Sequence, residues 1–161
     1  MWKVSFKNPK YKEVRRFNDR ATVVTFKGSM KVPFEVMDSI PPKINTWMKN
    51  KINPKVDVSY ATSRITIIAT GKAVRSKNDK DNSVLAERIA ECKAKIKLYE
   101  FVCTFLMNYV EYYATLLKGK EWSFENTPVN DTNCIAYAYN KYTRLYLTEK
   151  NHLKELLKKY D

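Results

Sequence analysis

Apolar and polar positions alternate through much of the first 74 residues, which is the pattern of half-buried β-strands. The alternation runs through residues 2–7, 56–60 and 64–74, and residues 21–26 are β-branched and aromatic. Residues 61–63 suit a short turn, so we predict a hairpin between the strands on either side of them. Strands that follow each other through short connections predict a small antiparallel sheet.

The remaining part of this N-terminal region gives weaker signals. Residues 9–20 are basic and polar, with three apolar side chains at helical spacing, and we interpret them as a short helix or an ordered loop. Pro42 suits the first turn of a helix that runs to about Ile52. Gly71 lies inside the strand predicted for residues 64–74, where glycine indicates a bulge or a close approach of another backbone.

A long helix is the dominant prediction. No glycine or proline occurs from Ser83 to Lys118, and Gly119 is a natural stop. One apolar stripe steps by three and four residues along the whole segment, and a second stripe begins halfway on the opposite side. The second stripe comprises Phe101, Phe105, Tyr109, Tyr112 and Leu116. A helix with two apolar sides is either sandwiched between layers of its own fold or shared with a second chain, so we predict this stripe as a partner or oligomer interface.

The C-terminal region is ambiguous between two structures. Apolar residues from Ile135 to Tyr160 follow one helical stripe, whereas the tyrosine-rich stretch within residues 133–147 also suits a hairpin. We predict the helix. The fold class is then α+β: a small antiparallel sheet packs on a long helix (about 83–118), which pairs with a C-terminal helix. We expect a single domain over residues 1–161, sheet-rich over 1–75 and helical over 83–160.

Charge adds a functional constraint. The chain of 161 residues carries 30 Lys and Arg against 17 Asp and Glu, a formal net charge of +13. The balance is +8 over residues 1–60, +5 over residues 61–120 and zero over residues 121–161. A basic surface confined to one part of a fold is typical of a protein that binds a polyanion, although a merely solvated basic surface is the alternative.

The nucleic-acid contacts that we predict are basic residues of the N-terminal region and of the loop after residue 74. They are Lys10, Lys12, Arg15, Arg16, Arg20, Lys72, Arg75, Lys77 and Lys80. Lysine and arginine neutralise phosphates, and the interleaved Tyr11 and Phe17 are of the type that stacks on unpaired bases.

Signatures of catalysis or metal binding are absent from the sequence. The one histidine, His152, lies in a charged helical run, and we interpret it as a solvated surface residue. Cys92, Cys103 and Cys134 form no C-x-x-C pair, and the three glycines exclude nucleotide-binding loops. We therefore predict no catalytic residue, no metal and no cofactor. Free thiols and the lack of an apolar run of membrane-spanning length favour a cytoplasmic protein without a membrane partner.

The segment Ile65–Tyr99 resembles small uncharacterised proteins encoded by phages and mobile elements. The resemblance is carried by a strand that ends Thr70-Gly71-Lys72-Ala73, an acidic loop with Asp79 and Asp81, and the helical run 89–99. The order of hairpin, long strand and helix is also similar to double-stranded-RNA-binding-like folds. The resemblance implies a phage accessory protein that acts in the cytoplasm of a host cell.

Three hypotheses of function follow from these patterns. The first is non-enzymatic binding of DNA or RNA, or of a complex that carries nucleic acid. The second is a protein-binding inhibitor of a host defence nuclease or ribonucleoprotein, of the anti-CRISPR kind. The third is a virion or homo-oligomeric structural protein, which the two-sided helix suggests.

Overall fold

The structure, a computed structural model, describes residues 5–6, 11–17, 21–32, 34–74, 83–116 and 132–160. Within these ranges five strands and four helices follow one another along the chain. They are β1 (Ser5–Phe6), β2 (Tyr11–Phe17), β3 (Ala21–Lys31), α1 (Phe34–Asp38), α2 (Pro42–Lys49), β4 (Lys55–Ser59), β5 (Arg64–Val74), α3 (Ser83–Leu116) and α4 (Thr132–Tyr160). The α+β class and its arrangement of a sheet, a long helix and a C-terminal helix are as predicted.

All the strand pairs are antiparallel, and β3 lies in the middle of the sheet. It pairs with β5 along its whole length, from Ala21 opposite Val74 to Lys31 opposite Arg64. β3 also pairs with β2 over its residues 21–27 and with β1 at its residues 30–31. The predicted hairpin joins β4 to β5, and β4 covers only the first half of β5, up to Ile68. Across its width the sheet therefore runs β2–β3–β5–β4.

Among the described residues, the helices cover one face of this sheet and no element covers the other. In β3 and β5 every second residue is buried, and the residues between are half-buried or exposed. The buried set includes Val24, Phe26 and Met30 of β3 and Ile65 and Ile67 of β5. Alternate residues of a strand point to opposite faces, so the buried set faces the helices and packs in one hydrophobic cluster with them.

Gly71 brings α3 into contact with the backbone of β5. A Cβ atom on this residue would lie 2.0 Å from the carbonyl oxygen of Ala90 and 2.6 Å from the amide nitrogen of Ala94. Both alanines are fully buried. The glycine therefore marks a close backbone approach, one of the two alternatives that its position in the strand suggested.

The long helix α3 is sandwiched within its own chain. On one side it packs antiparallel against α4, since Cys92 lies near His152 whereas Tyr99 lies near Tyr142. On the other side Trp47 of α2 stacks on Phe101, with ring centroids 5.2 Å apart and planes only 4° from parallel. Of the two explanations for a helix with two apolar sides, the structure shows the layered one.

One sequence-based interpretation is wrong for the described residues, and one open alternative is settled. Residues 11–17 are neither helix nor loop but a strand, because pairing with β3 from Tyr11 opposite Lys27 to Phe17 opposite Ala21 overrides the helical spacing of three apolar residues. The hairpin alternative within residues 133–147 is also excluded, since they belong to α4.

The second apolar stripe of α3 is largely internal. Phe101, Phe105 and Tyr109 are no more than 2% exposed, and the hydroxyl of Tyr109 lies 2.8 Å from that of Ser39. The prediction that these three form a partner or oligomer interface is wrong, because elements of the same chain cover them. Tyr112 is 39% exposed and lines a groove of about 420 Å³ between α2 and α3. Leu116 ends α3, and its side chain lies outside the described residues.

None of the helices among the described residues is both long and apolar enough to cross a bilayer.

Candidate nucleic-acid interface

The face of the sheet turned away from α3 is rich in basic side chains. Within β3, β4 and β5 it carries five cations and one carboxylate. They are Lys27, Lys31, Lys55, Arg64 and Lys72, with Asp57. We call this surface the open face. No described acidic residue forms an ion pair with any of the five cations.

The strand register arranges these cations in rows. Lys31 lies directly opposite Arg64 on the neighbouring strand. Four residues along β3, Lys27 lies opposite Ile68, which in turn lies opposite Lys55. At about 3.4 Å per residue the two rows are about 14 Å apart. Because like charges directly opposite each other in a sheet repel, the Lys31–Arg64 pair favours an anion bound above it.

A third basic position continues the same spacing. Lys72 lies opposite Val23, four residues along β3 from Lys27, and its side chain is exposed. On the other edge of β3, Arg15 pairs with Val23 and the acidic Glu13 pairs with Thr25, so β2 brings one basic and one acidic residue into register with open-face positions. Arg15 and Lys72 are thus in register on either side of one residue, although the side chain of Arg15 is outside the described part of the chain.

The other predicted contacts divide between β2 and undescribed segments. Lys12 and Arg16 belong to β2 and pair with Phe26 and Thr22, two residues that face the helices. The remaining predicted residues, which lie outside the described ranges, are Lys10, Arg20, Arg75, Lys77 and Lys80. Among the described side chains, the open face therefore contains only Lys72 of the predicted set.

Sequence reasoning missed Lys27, Lys31, Lys55 and Arg64. Each is an isolated basic residue within or beside a strand, so no local cluster distinguishes it. What they share is their place in the alternation: the residues between the buried positions of β3 and β5 carry the charge. This signal becomes visible only when the non-local register of β3 against β5 is known.

The lysines on the sheet-facing side of α3 have structural partners. The Lys97 ammonium donates to the backbone carbonyl of Thr70 at 2.9 Å, and the Lys93 ammonium donates to that of Lys72 at 2.9 Å. Burial, followed by the charge of Lys93, lowers the pKa of Lys97. These two lysines donate hydrogen bonds to backbone carbonyls at the edge of β5 beyond the end of β4, so their role is structural.

The side chain of Asn53 caps the same edge by making two hydrogen bonds of the kind that a neighbouring strand would make. The amide of Asn53 donates to the carbonyl oxygen of Thr70 at 3.0 Å and accepts from its backbone N–H at 3.0 Å. The carbonyl also accepts from Lys97, but the N–H would otherwise face solvent where β4 has ended, and an unpaired strand edge is a site for wrong pairing. The open face is therefore held on a sheet whose edge is partly capped.

Comparison of the chain with protein-family models, with curated proteins and with solved structures found no match.

Proposed function

We propose that this protein binds nucleic acid without catalysis and that the open face is its binding surface. The observation that carries the proposal is the charge of that face, five cations against one carboxylate over three strands. The opposite face of the same strands is apolar and buried against α3, so the asymmetry is a property of the sheet and not of the average composition.

The spacing of the charges supports a phosphate backbone as the ligand. Three basic positions along the sheet, at Lys31, Lys27 and Lys72, are separated by about 14 Å each, since successive rows are four residues apart along the strand. Threonine and serine side chains occupy the rows between them, at Thr25, Ser29 and elsewhere, and hydroxyls donate hydrogen bonds to phosphate oxygens. A linear polyanion that follows β3 and β5 would meet a cation at regular intervals.

A charge-reversal experiment tests the proposal. Lys27→Glu and Lys31→Glu together change two exposed residues of β3, whereas Lys158→Glu and Lys159→Glu change two exposed residues at the end of α4. Both double variants lower the net charge by the same amount. We expect the β3 variant to weaken binding to a fluorescent oligonucleotide by at least about tenfold and to reduce the salt slope by about 1.4, the value for two lost contacts on a single strand.

The control variant should retain affinity to within about threefold, because general attraction is weaker than direct contact at physiological salt. Equal weakening by the two double variants would mean that only net charge matters, and it would refute the open face as the site. Weak binding of the wild-type chain to DNA and RNA alike would refute the nucleic-acid proposal itself. The basic face would then serve a protein complex, as in the hypothesis of a nuclease inhibitor.

A further inference from the structure

Three side chains with metal-binding groups meet between α3 and α4. Cys92 comes from the first half of α3, and Glu149 and His152 are one helical turn apart on α4. One ligand atom from each lies within 4.8 Å of the others. The cysteine is 60 residues from the histidine in the chain. That separation explains why sequence spacing gave no sign of a metal site and why His152 was interpreted as a solvated surface residue.

We propose that Cys92, Glu149 and His152 bind one zinc ion that bridges α3 and α4. None of these residues belongs to the open face, and the proposal does not depend on nucleic-acid binding. Thiolate, imidazole and carboxylate are the three ligand types that zinc takes in proteins. Magnesium and calcium prefer oxygen ligands alone, so this mixed set selects against them.

The two distances to His152 are close to those of tetrahedral coordination, and the ligand atoms of Cys92 and Glu149 lie within 4.8 Å of each other. A Zn–S bond of about 2.3 Å and a Zn–N bond of about 2.05 Å, at a tetrahedral angle, put the two ligand atoms about 3.6 Å apart. Cys92 Sγ lies 3.5 Å from His152 Nδ1. Glu149 Oε2 lies 3.9 Å from the same nitrogen, against about 3.3 Å expected for a Zn–N and Zn–O pair. Completing the site therefore requires the Glu149 oxygen to move at least about 0.6 Å closer to Nδ1.

Glu149 offers a second argument, since its two oxygen atoms have different surroundings. Oε1 lies 3.9 Å from the ammonium of Lys95, which also pairs with Glu91 at 3.2 Å. Oε2 is enclosed and accepts no hydrogen bond from any described residue. The Cys92 thiol is only a weak donor to this carboxylate, so the buried oxygen is poorly satisfied, and a metal ion would satisfy it better. Lys95 would orient the carboxylate from behind, as groups outside the coordination shell commonly do.

The histidine leaves the site accessible. Its side chain is 51% exposed, whereas Cys92 is buried and the Glu149 side chain is 17% exposed. An ion can enter from the side of His152, and a water molecule can complete the fourth position there. Glu149 and Glu91 place two carboxylates near the thiol, partly offset by the ammonium of Lys95, and their negative charge attracts a dication.

Cobalt(II) provides the probe, because its bond to a thiolate gives a charge-transfer absorption band. We expect the reduced full chain to bind one Co²⁺ with this band and with the visible spectrum of a tetrahedral ion, and zinc to displace it. Magnesium should not compete. Because the thiol must lose its proton, affinity should rise with pH by about one proton per metal bound.

Matched variants locate the site. Cys92→Ser and His152→Gln should abolish the band or weaken affinity at least about tenfold, the smallest loss typical even for groups behind the ligands. Cys103→Ser, at the other described cysteine of α3, should leave it unchanged. His152 is half exposed and is the only histidine of the chain, so its variant tests the site even if Cys92→Ser disturbs folding. No band, a band that survives His152→Gln, or a band that depends on Cys103 would overturn the proposal.

Discussion

Replacement of Gly71 by alanine is the sharpest test of how the sheet and α3 fit together. The added Cβ would lie 2.0 Å from the carbonyl oxygen of Ala90, whereas carbon–oxygen contacts normally begin near about 3.3 Å. The helix would have to move away from β5 by about 1.3 Å. The obstructing atoms are mostly backbone, with the amide nitrogen of Ala94 at 2.6 Å, so no side-chain rotation relieves the contact.

The cost of that movement is large because it affects the whole interface. A gap of about 0.5–1 Å already removes a quarter to a half of the dispersion energy of each contact that it opens. Ala90 and Ala94 are buried against β5 at Gly71, within the hydrophobic cluster that joins α3 to the sheet. We expect Gly71→Ala to lower the free energy of unfolding by at least about 3 kcal/mol, the upper end of ordinary overpacking.

Urea denaturation followed by the far-ultraviolet circular dichroism of the helices measures this quantity. With an m-value of about 2 kcal/mol/M, the midpoint should fall by about 1.5 M. Lys72→Ala, a change at the next residue on the exposed side of the same strand, should alter stability by no more than about 0.5 kcal/mol. If Gly71→Ala behaved like this control, the close approach of α3 to β5 would be refuted.

Four other changes have defined outcomes. Phe105→Glu should unfold the chain and not merely dissociate an oligomer, because Phe105 is fully buried. Met107→Glu, at a 40% exposed position, should be tolerated. A folded Phe105→Glu chain in a thermal melt would contradict the packing. Asn53→Ala should cost about 1–2 kcal/mol in urea denaturation by removing both bonds to Thr70, and an unchanged midpoint would show that the edge needs no cap. Burial, and after it the neighbouring Glu149 side chain, raises the pKa of the Cys92 thiol from 9.0 to about 12. The unfolded chain therefore loses the thiol proton at lower pH than the folded chain, and the free energy of unfolding should fall between about pH 9 and pH 12. Thermal melts over that range should show a smaller fall for Cys92→Ala, and equal falls would reject the assignment. Arg15→Glu should weaken oligonucleotide binding more than Arg16→Glu, because Arg15 is in register with Val23 of the open face whereas Arg16 is in register with the buried Thr22. If anisotropy titrations gave the reverse order, the ligand would bind elsewhere.

Most of the architecture could be predicted because its signals are local. The absence of glycine and proline from Ser83 to Lys118 and the 3–4 periodicity predicted α3, and Gly71 marked the approach of a second backbone. The hairpin of β4 and β5 followed from alternation and a short turn. Residues 11–17 were misinterpreted because an edge strand pairs with a distant partner, and three apolar residues at helical spacing carry no information about that partner.

The two proposed sites were harder to predict than the fold because each combines residues that are distant in the sequence. The open face assembles single basic residues from three strands, and the Cys92–Glu149–His152 group assembles residues from two helices. Neither leaves a cluster in the sequence. The predicted interface stripe failed for a related reason: periodicity shows that Phe101 and Phe105 are buried, but it does not show whether the covering layer belongs to the same chain.

The salt dependence of oligonucleotide binding by the wild-type chain tests the central claim most directly. Fluorescence anisotropy with single- and double-stranded DNA and RNA, each at several salt concentrations, gives the number of phosphate contacts from the slope of log affinity against log salt. The five cations of the open face predict a slope of about −3 to −4 on a single strand. No binding even at low salt, or binding whose affinity does not change with salt, would contradict the account.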